Sequence, residues 1–311
     1  MKSALVNSTT YLEKKMMNNN EKIGVIDVGS NSVRSILFSD GKILYKELIT
    51  SRLGEGLAKT GMISEQGLNR TVDAIKTLAY RLISRGAERL MPFATEAVRS
   101  AKNGNLLVEQ VKEQLGVTVE VVSGDEEGEL GLLGALEGKD GGVIDIGGAS
   151  AEIVVAKDKK IVYSHSLPLG AVRLYDFCGE DEEKLKKVVD EKIKEYGDIP
   201  KGVNFFAVGG TATTVGAVDS ALVDYDENVV HGRVITYSKI LEIYQKIKNA
   251  TYEERINSLH INVKRAEIIV GGVYLLKRIM EEFEIDKITV SEGDNLLGYV
   301  KKRILGEGYE K

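Results

Sequence analysis

Two short stretches of this chain end an apolar run in an acid and follow it at once with glycines and hydroxyls. The first holds Asp27, Gly29, Ser30, Asn31 and Ser32; the second holds Asp145, Gly147, Gly148, Ser150 and Glu152. Glycine lets such a turn adopt positive φ or take a ligand close to the backbone, and successive N–H groups then form an anion-binding concavity. The neighbouring carboxylates can hold a divalent cation that bridges phosphate oxygens. A third turn, with Gly209, Gly210 and Thr211, follows the apolar run 204–208 and opens a helical pattern, whose N-terminus favours negative charge. Three such turns in one chain point to a phosphate-binding cleft.

The first two turns are copies of one another. Residues 24–45 (GVIDVGSNSVRSILFSDGKILY) align without a gap on residues 142–163 (GVIDIGGASAEIVVAKDKKIVY), an offset of 118, with ten identities in 22 positions. Each copy reads as a strand ending in Asp, a glycine turn, a β-branched strand, a polar turn and a third strand. Ordinary hairpins would not need the repeated Asp, Gly and Ser. Two duplicated loops facing each other across a hinge would therefore form one cleft.

The elements that position these loops alternate between strand and helix. Residues 64–85 have the apolar spacing of an amphipathic helix with Ser64 as N-cap. Strands are expected at 89–94, 118–122, 203–208 and 287–290. Further helices are expected at 105–115, 126–136, 182–196, 238–248, 264–283 and from about 294. This order predicts an α/β protein in layers. The glycine-rich stretch 131–141 suggests a boundary, which gives a leader at 1–21, a first domain at 22–135 and a second at 136–311.

Composition narrows the function. A net charge of −5 gives no general attraction to nucleic acid or anionic membranes, so positive potential must be concentrated locally. No apolar run approaches the length of a membrane span. The polar start has no signal-peptide core and reads as a disordered leader, with translation starting at Met1, Met16 or Met17. One cysteine, Cys178, cannot form an internal disulfide, which fits a cytoplasmic protein. The three histidines lie far apart and do not suggest a zinc site. The apolar cluster 268–276 reads as core or as a homodimer surface.

The set IDVGSNSVR (26–34), ATEAVRSAKN (94–103), SGDEEGEL (123–130), VIDIGGASAEIV (143–154), SLPLGAVRL (166–174), VGGTATT (208–214) and VHG (230–232) resembles the exopolyphosphatase and guanosine pentaphosphate phosphohydrolase family. The resemblance runs over about residues 22–300 with the motifs in the family's order. It implies two ribonuclease-H-like domains of the actin/hexokinase/Hsp70-like fold, with Mg²⁺-dependent hydrolysis of terminal phosphoanhydride bonds in the interdomain cleft. Glu127 matches the family's general base, although Ser123 to Glu126 alone has the form of a helix capping box. Asp145 and Glu152 match its metal-associated acids, and Asp27 is a further candidate. Arg99 and Asn103 match residues that contact phosphate oxygens, and Arg34 after the first turn suggests similar work. His231, in the VHG loop, reads as structural.

The chain departs from the family in two places. Its second turn reads GGASAE where the family has GGGSTE, so Ala149 must take a negative φ or carry strain. Gly293-Asp294-Asn295-Leu296-Leu297-Gly298 stands where an arginine-bearing stretch is expected. With no helical extension before Lys311, this points to short-chain polyphosphate or a nucleotide. The readings are an exopolyphosphatase, a guanosine pentaphosphate 5′-phosphohydrolase, and, in another class, a non-catalytic polyphosphate or nucleotide sensor.

Overall fold

Strand β1, Ile23–Val28, is buried along its whole length, as an apolar run covered on both faces must be. It pairs antiparallel with β2, Ser32–Ser39, which pairs with β3, Lys42–Thr50. On its other side β1 runs parallel to β4, Arg89–Ala94, followed by the two-residue strand β5, Glu120–Val121. The first sheet therefore has the order β3-β2-β1-β4-β5. The second repeats its core: β6 (Gly141–Ile146), β7 (Ala151–Lys157) and β8 (Lys160–Leu167) form the meander, and β9 (Phe205–Val208) lies parallel to β6. Strands β10 (Val234–Thr236) and β11 (Lys287–Val290) complete the order β10-β11-β9-β6-β7-β8. Two α/β lobes of the implied ribonuclease-H-like kind result.

The duplication is preserved in register. Asp27 lies opposite Arg34, and Asp145 lies opposite Glu152. The register shift at Leu37/Phe38 recurs at Val155/Ala156, again 118 residues on. The expected helices form, with adjusted ends. Helix Glu65–Ser84 is capped by Ser64, whose hydroxyl accepts from the Gly67 N–H at 3.1 Å. Its buried stripe from Leu68 to Leu82 covers the face of the first sheet formed by Ile26, Val28 and Val33. The computed structural model describes residues 21–310, so the leader expected at 1–21 lies, apart from Glu21, outside the described residues. Among the described residues no helix is long and apolar enough to cross a membrane.

The division at 135/136 is corrected at the end of the chain. Helix Asn295–Val300 follows β11 but packs Leu296, Tyr299 and Val300 against Ile23, Val25, Ile36, Phe38 and Phe93 of the first sheet. Its apolar side chains cover the face that helix Glu65–Ser84 leaves open. The Tyr299 ring stacks on Phe93 at 4.3 Å, and its hydroxyl donates to Glu120 at 2.6 Å. The apolar cluster 268–276 belongs to the core of the second lobe, where Ile269, Val270, Val273, Leu275 and Leu276 are buried. It therefore presents no dimer surface. Replacing Tyr299 with Ala should lower the unfolding free energy by about 3 kcal/mol, the usual cost of deleting a buried aromatic ring. Urea titration followed by circular dichroism reads this directly.

Candidate active site

The two duplicated turns touch. Gly29 N–H donates to the Ser32 carbonyl at 3.1 Å, and Gly147 N–H donates to the Ser150 carbonyl at 3.0 Å, so each turn is closed in the same way. A Cβ on Gly148 would lie 2.8 Å from the Cβ of Ser30. Glycine is required there for close approach of the two lobes, not for positive φ. Ala149 next to it also avoids positive φ and is buried, so the GGASAE turn carries no backbone strain.

Between the lobes lies a cleft of about 100 Å³. Its lining contains Asp27, Gly29, Ser30, Asn31, Ser32 and Arg34 from the first lobe and Asp145, Gly147, Gly148 and Ser150 from the second. Glu127 and the third turn, Gly209, Gly210 and Thr211, line it as well. Helix Gly124–Leu136 delivers Glu127 from its first turn, where Ser123 caps it by accepting from the Glu126 N–H. The Glu126 carboxylate does not close a capping box; it is held by Lys302 and Arg303.

Three expected residues do not line the cleft. Arg99 donates to Glu127 Oε2 at 3.0 Å, to the Val122 carbonyl at 2.7 Å and to Glu96 at 2.7 Å. Its guanidinium is spent on these protein acceptors, Glu127 among them. Asn103 spends its amide on Ile63, accepting from the N–H at 2.8 Å and donating to the carbonyl at 2.9 Å. It ties down the loop before helix Glu65–Ser84. Glu152 is 3% exposed and accepts from the Ser166 hydroxyl at 2.6 Å, behind the lining. His231 accepts from the Glu292 N–H at 3.1 Å, which is the structural role expected of it.

Charge buried this deeply shifts proton affinity. Burial pushes the Glu127 carboxyl up to about 7, with the charges of Asp145 and Asp27 adding and Arg99 opposing. Burial likewise pushes Asp145 up to about 6, helped by Asp294 and Asp27 and opposed by Arg34. Glu152 lies well above the usual carboxylate range through burial and then the charges of Glu127 and Asp145. Burial also raises Asp27, against its contact with Arg34. Perturbed acids gathered in a cleft mark a functional site.

The donor set suits a magnesium ion. Among the described residues no three His, Cys, Asp or Glu side chains form a ready cage, but Mg²⁺ keeps several waters and needs only one or two carboxylates plus phosphate oxygens. Asp27 Oδ1 is buried without a hydrogen-bond partner. Asp145 accepts from Asn295 through Oδ2 at 3.3 Å. Glu152, occupied by Ser166 outside the lining, is not placed to join them directly.

Sequence reasoning missed Thr95, Arg265, Asp294 and Asn295, which also line the cleft. Arg265 is the informative one. Among the described residues its guanidinium has no salt-bridge partner within 4.0 Å, while burial and the charge of Arg34 lower its pKa. It lies over Gly210, where a Cβ would come within 1.3 Å of an Arg265 nitrogen. The Gly-Gly pair at 209–210 was the available signal, since the second glycine leaves room for this side chain. Arg265 also lines a second, outer chamber of about 580 Å³ next to the cleft.

Fold and site together define a two-lobed phosphate-handling protein with a general-base candidate at the cleft. The Ppx/GppA phosphatase family profile matches residues 33–295, and the chain belongs to that family. It is 28% identical to exopolyphosphatase 2 of Mycobacterium tuberculosis, covering 89% of this chain and 97% of that protein. It is 31% identical to a bifunctional 3-dehydroquinate synthase/phosphatase of Fusobacterium nucleatum, over 88% of this chain but 45% of that longer protein. The crystal structure of the Aquifex aeolicus family member superposes with a TM-score of 0.76 at 31% identity, covering 93% of this chain and 99% of that one.

Because Asn103 braces a loop, Asn103→Ala should lower the unfolding free energy by about 1–3 kcal/mol, the cost of leaving buried backbone groups unpaired. The apparent affinity for oligophosphate should stay within a factor of about two. Thermal melting and a substrate titration separate the two effects.

Proposed function

We propose that this chain is an exopolyphosphatase-type hydrolase that releases the terminal phosphate from a short oligophosphate. The observation that supports this most is Glu127, a carboxyl raised to about 7 at the edge of a cleft lined by three glycine turns. A base with that proton affinity is half-ionised near neutral pH and can take a proton from water. Water attacks the terminal phosphorus in line, Glu127 takes its proton, and the phosphoanhydride bond to the next phosphate breaks. Arg99 holds Oε2 of Glu127, which fixes the carboxylate while its other oxygen serves the water. Backbone N–H groups of the turns, with Arg265, meet the phosphate oxygens. When bound, Mg²⁺ would neutralise charge on those oxygens, held by Asp145 and Asp27.

The outer chamber favours a second reading, a guanosine pentaphosphate 5′-phosphohydrolase. Its walls include Val218, Val223, Leu259, Ile261 and the exposed Tyr225, which suit an organic ring system better than a bare phosphate chain. Phosphate release from tripolyphosphate, long polyphosphate and guanosine pentaphosphate decides between the two. Release from none of them would favour a non-catalytic sensor.

Glu127→Gln should cut kcat by about 10²–10⁴-fold, and undiminished release would overturn the assignment of the base. Since the ionised form is the active one, kcat/KM should climb about tenfold per pH unit below 7 and level off above it. Gly210→Ala, by displacing the Arg265 guanidinium, should reduce kcat/KM by about ten- to a hundredfold, as Arg265→Ala does. The double variant should be no worse than either single one, and additive losses would show that the two residues act separately.

A further inference from the structure

Arg34, Gly209, Gly210, Arg265 and Asp294 line both the inner cleft and the outer chamber. A substrate reaching from one into the other would take its passage past these groups. Their two cations are not equivalent. Arg265 has no acidic partner within ion-pair distance among the described residues. Arg34 has each of its three nitrogens bonded to an acid: Nε donates to Asp27 Oδ2 at 3.1 Å, one terminal nitrogen bonds the same oxygen, and the other bonds Asp294 Oδ2, which leaves two of its five N–H groups.

Asp294 stands where the chain crosses from β11 of the second sheet to the helix packed on the first, and it pairs there with Arg34. Its position is set by a cap, since Oδ1 accepts from the Leu296 N–H at 3.0 Å and starts helix Asn295–Val300. The other oxygen takes a donor of the Arg34 guanidinium and half-neutralises, with Asp27, the charge that a phosphate would meet. The outer chamber adds Glu47, Asp224, Glu227 and Glu292 against the single lysine Lys46 in its lining. A phosphate chain running outward thus leaves the amide-rich turns and meets carboxylates.

We propose that Asp294 is a specificity-determining residue: by occupying Arg34 and setting a carboxylate in the passage, it rejects substrates whose phosphates continue outward and selects those short in phosphate. This rests on the reading of the cleft as a phosphohydrolase site. Asn and Ser both cap helices well, so Asp294→Asn and Asp294→Ser remove the charge and keep the helix start, while Asp294→Glu keeps the charge.

The ratio of kcat/KM for long-chain polyphosphate to that for tripolyphosphate should rise at least about tenfold in the Asn and Ser variants. It should stay near the wild-type value in the Glu variant, and the gain should shrink at high salt. The same two anions are also titrated calorimetrically into Glu127→Gln, with and without Asp294→Asn. That binding ratio is read without turnover. Binding without hydrolysis by the wild type would sink the proposed activity and still test Asp294. An unchanged ratio in both assays would overturn the proposal. So would an equal weakening of both anions with a lowered melting temperature, which is what a cap alone would produce, or no binding of either anion by any form.

Discussion

The structure depends on holding several carboxylates out of water at one place. Asp27, Glu127 and Glu152 are withdrawn from solvent and Asp145 is half-buried around the contact between the two duplicated turns, and desolvation raises each of them. Such a cluster persists only if its charge is compensated, because an unpaired buried charge costs several kcal/mol. Arg34 serves Asp27, Arg99 serves Glu127, and hydroxyls serve Glu152. The guanidinium groups that a sequence reader assigns to substrate are thus largely committed to the protein's own acids. Among the described residues Arg265 in the cleft lining has no such acid partner.

The duplication explains how one cleft acquires two kinds of charge. Positions 34 and 152 are equivalent in the two meanders, each opposite the strand-end aspartate of its own lobe. One became arginine and the other glutamate. An ancestral pair of like loops has diverged into a lobe that brings a cation beside its acid and a lobe that stacks acid behind acid.

The cleft is closed by contacts spread along its rim. Arg34 meets Asp294, Lys46 meets Glu227 at 2.9 Å and Glu292 at 3.3 Å, Arg52 meets Glu267 at 3.0 Å, and the Gly56 N–H meets Asp176 at 2.9 Å. The more exposed pairs, Lys46 with Glu227 and Arg52 with Glu267, contribute little alone, at most about 1 kcal/mol each. The apolar return of helix Asn295–Val300 onto the first sheet is a different matter, since it makes the second half of the chain part of the first lobe's core. This helix is therefore shared between the two lobes.

Local sequence determined the glycine turns, the meanders with their shared bulge position and the helix starts at Ser64 and Ser123. Each depends on residues within a few positions of one another, through strand alternation, turn chemistry and capping. The repeat brought the first two turns to one cleft, whereas Glu127 was singled out by the family resemblance, its local pattern alone reading as a helix cap. Tertiary structure alone decided which charged groups meet. Arg99 matched a phosphate-binding pattern yet turned to Glu127 and Glu96, and Asn103 turned to Ile63. Asp294 found Arg34 across 260 positions of chain, and Arg265 found its place over Gly210. A long side chain goes to whichever partner the packed fold brings within about 3 Å, and no spacing in the sequence encodes that distance.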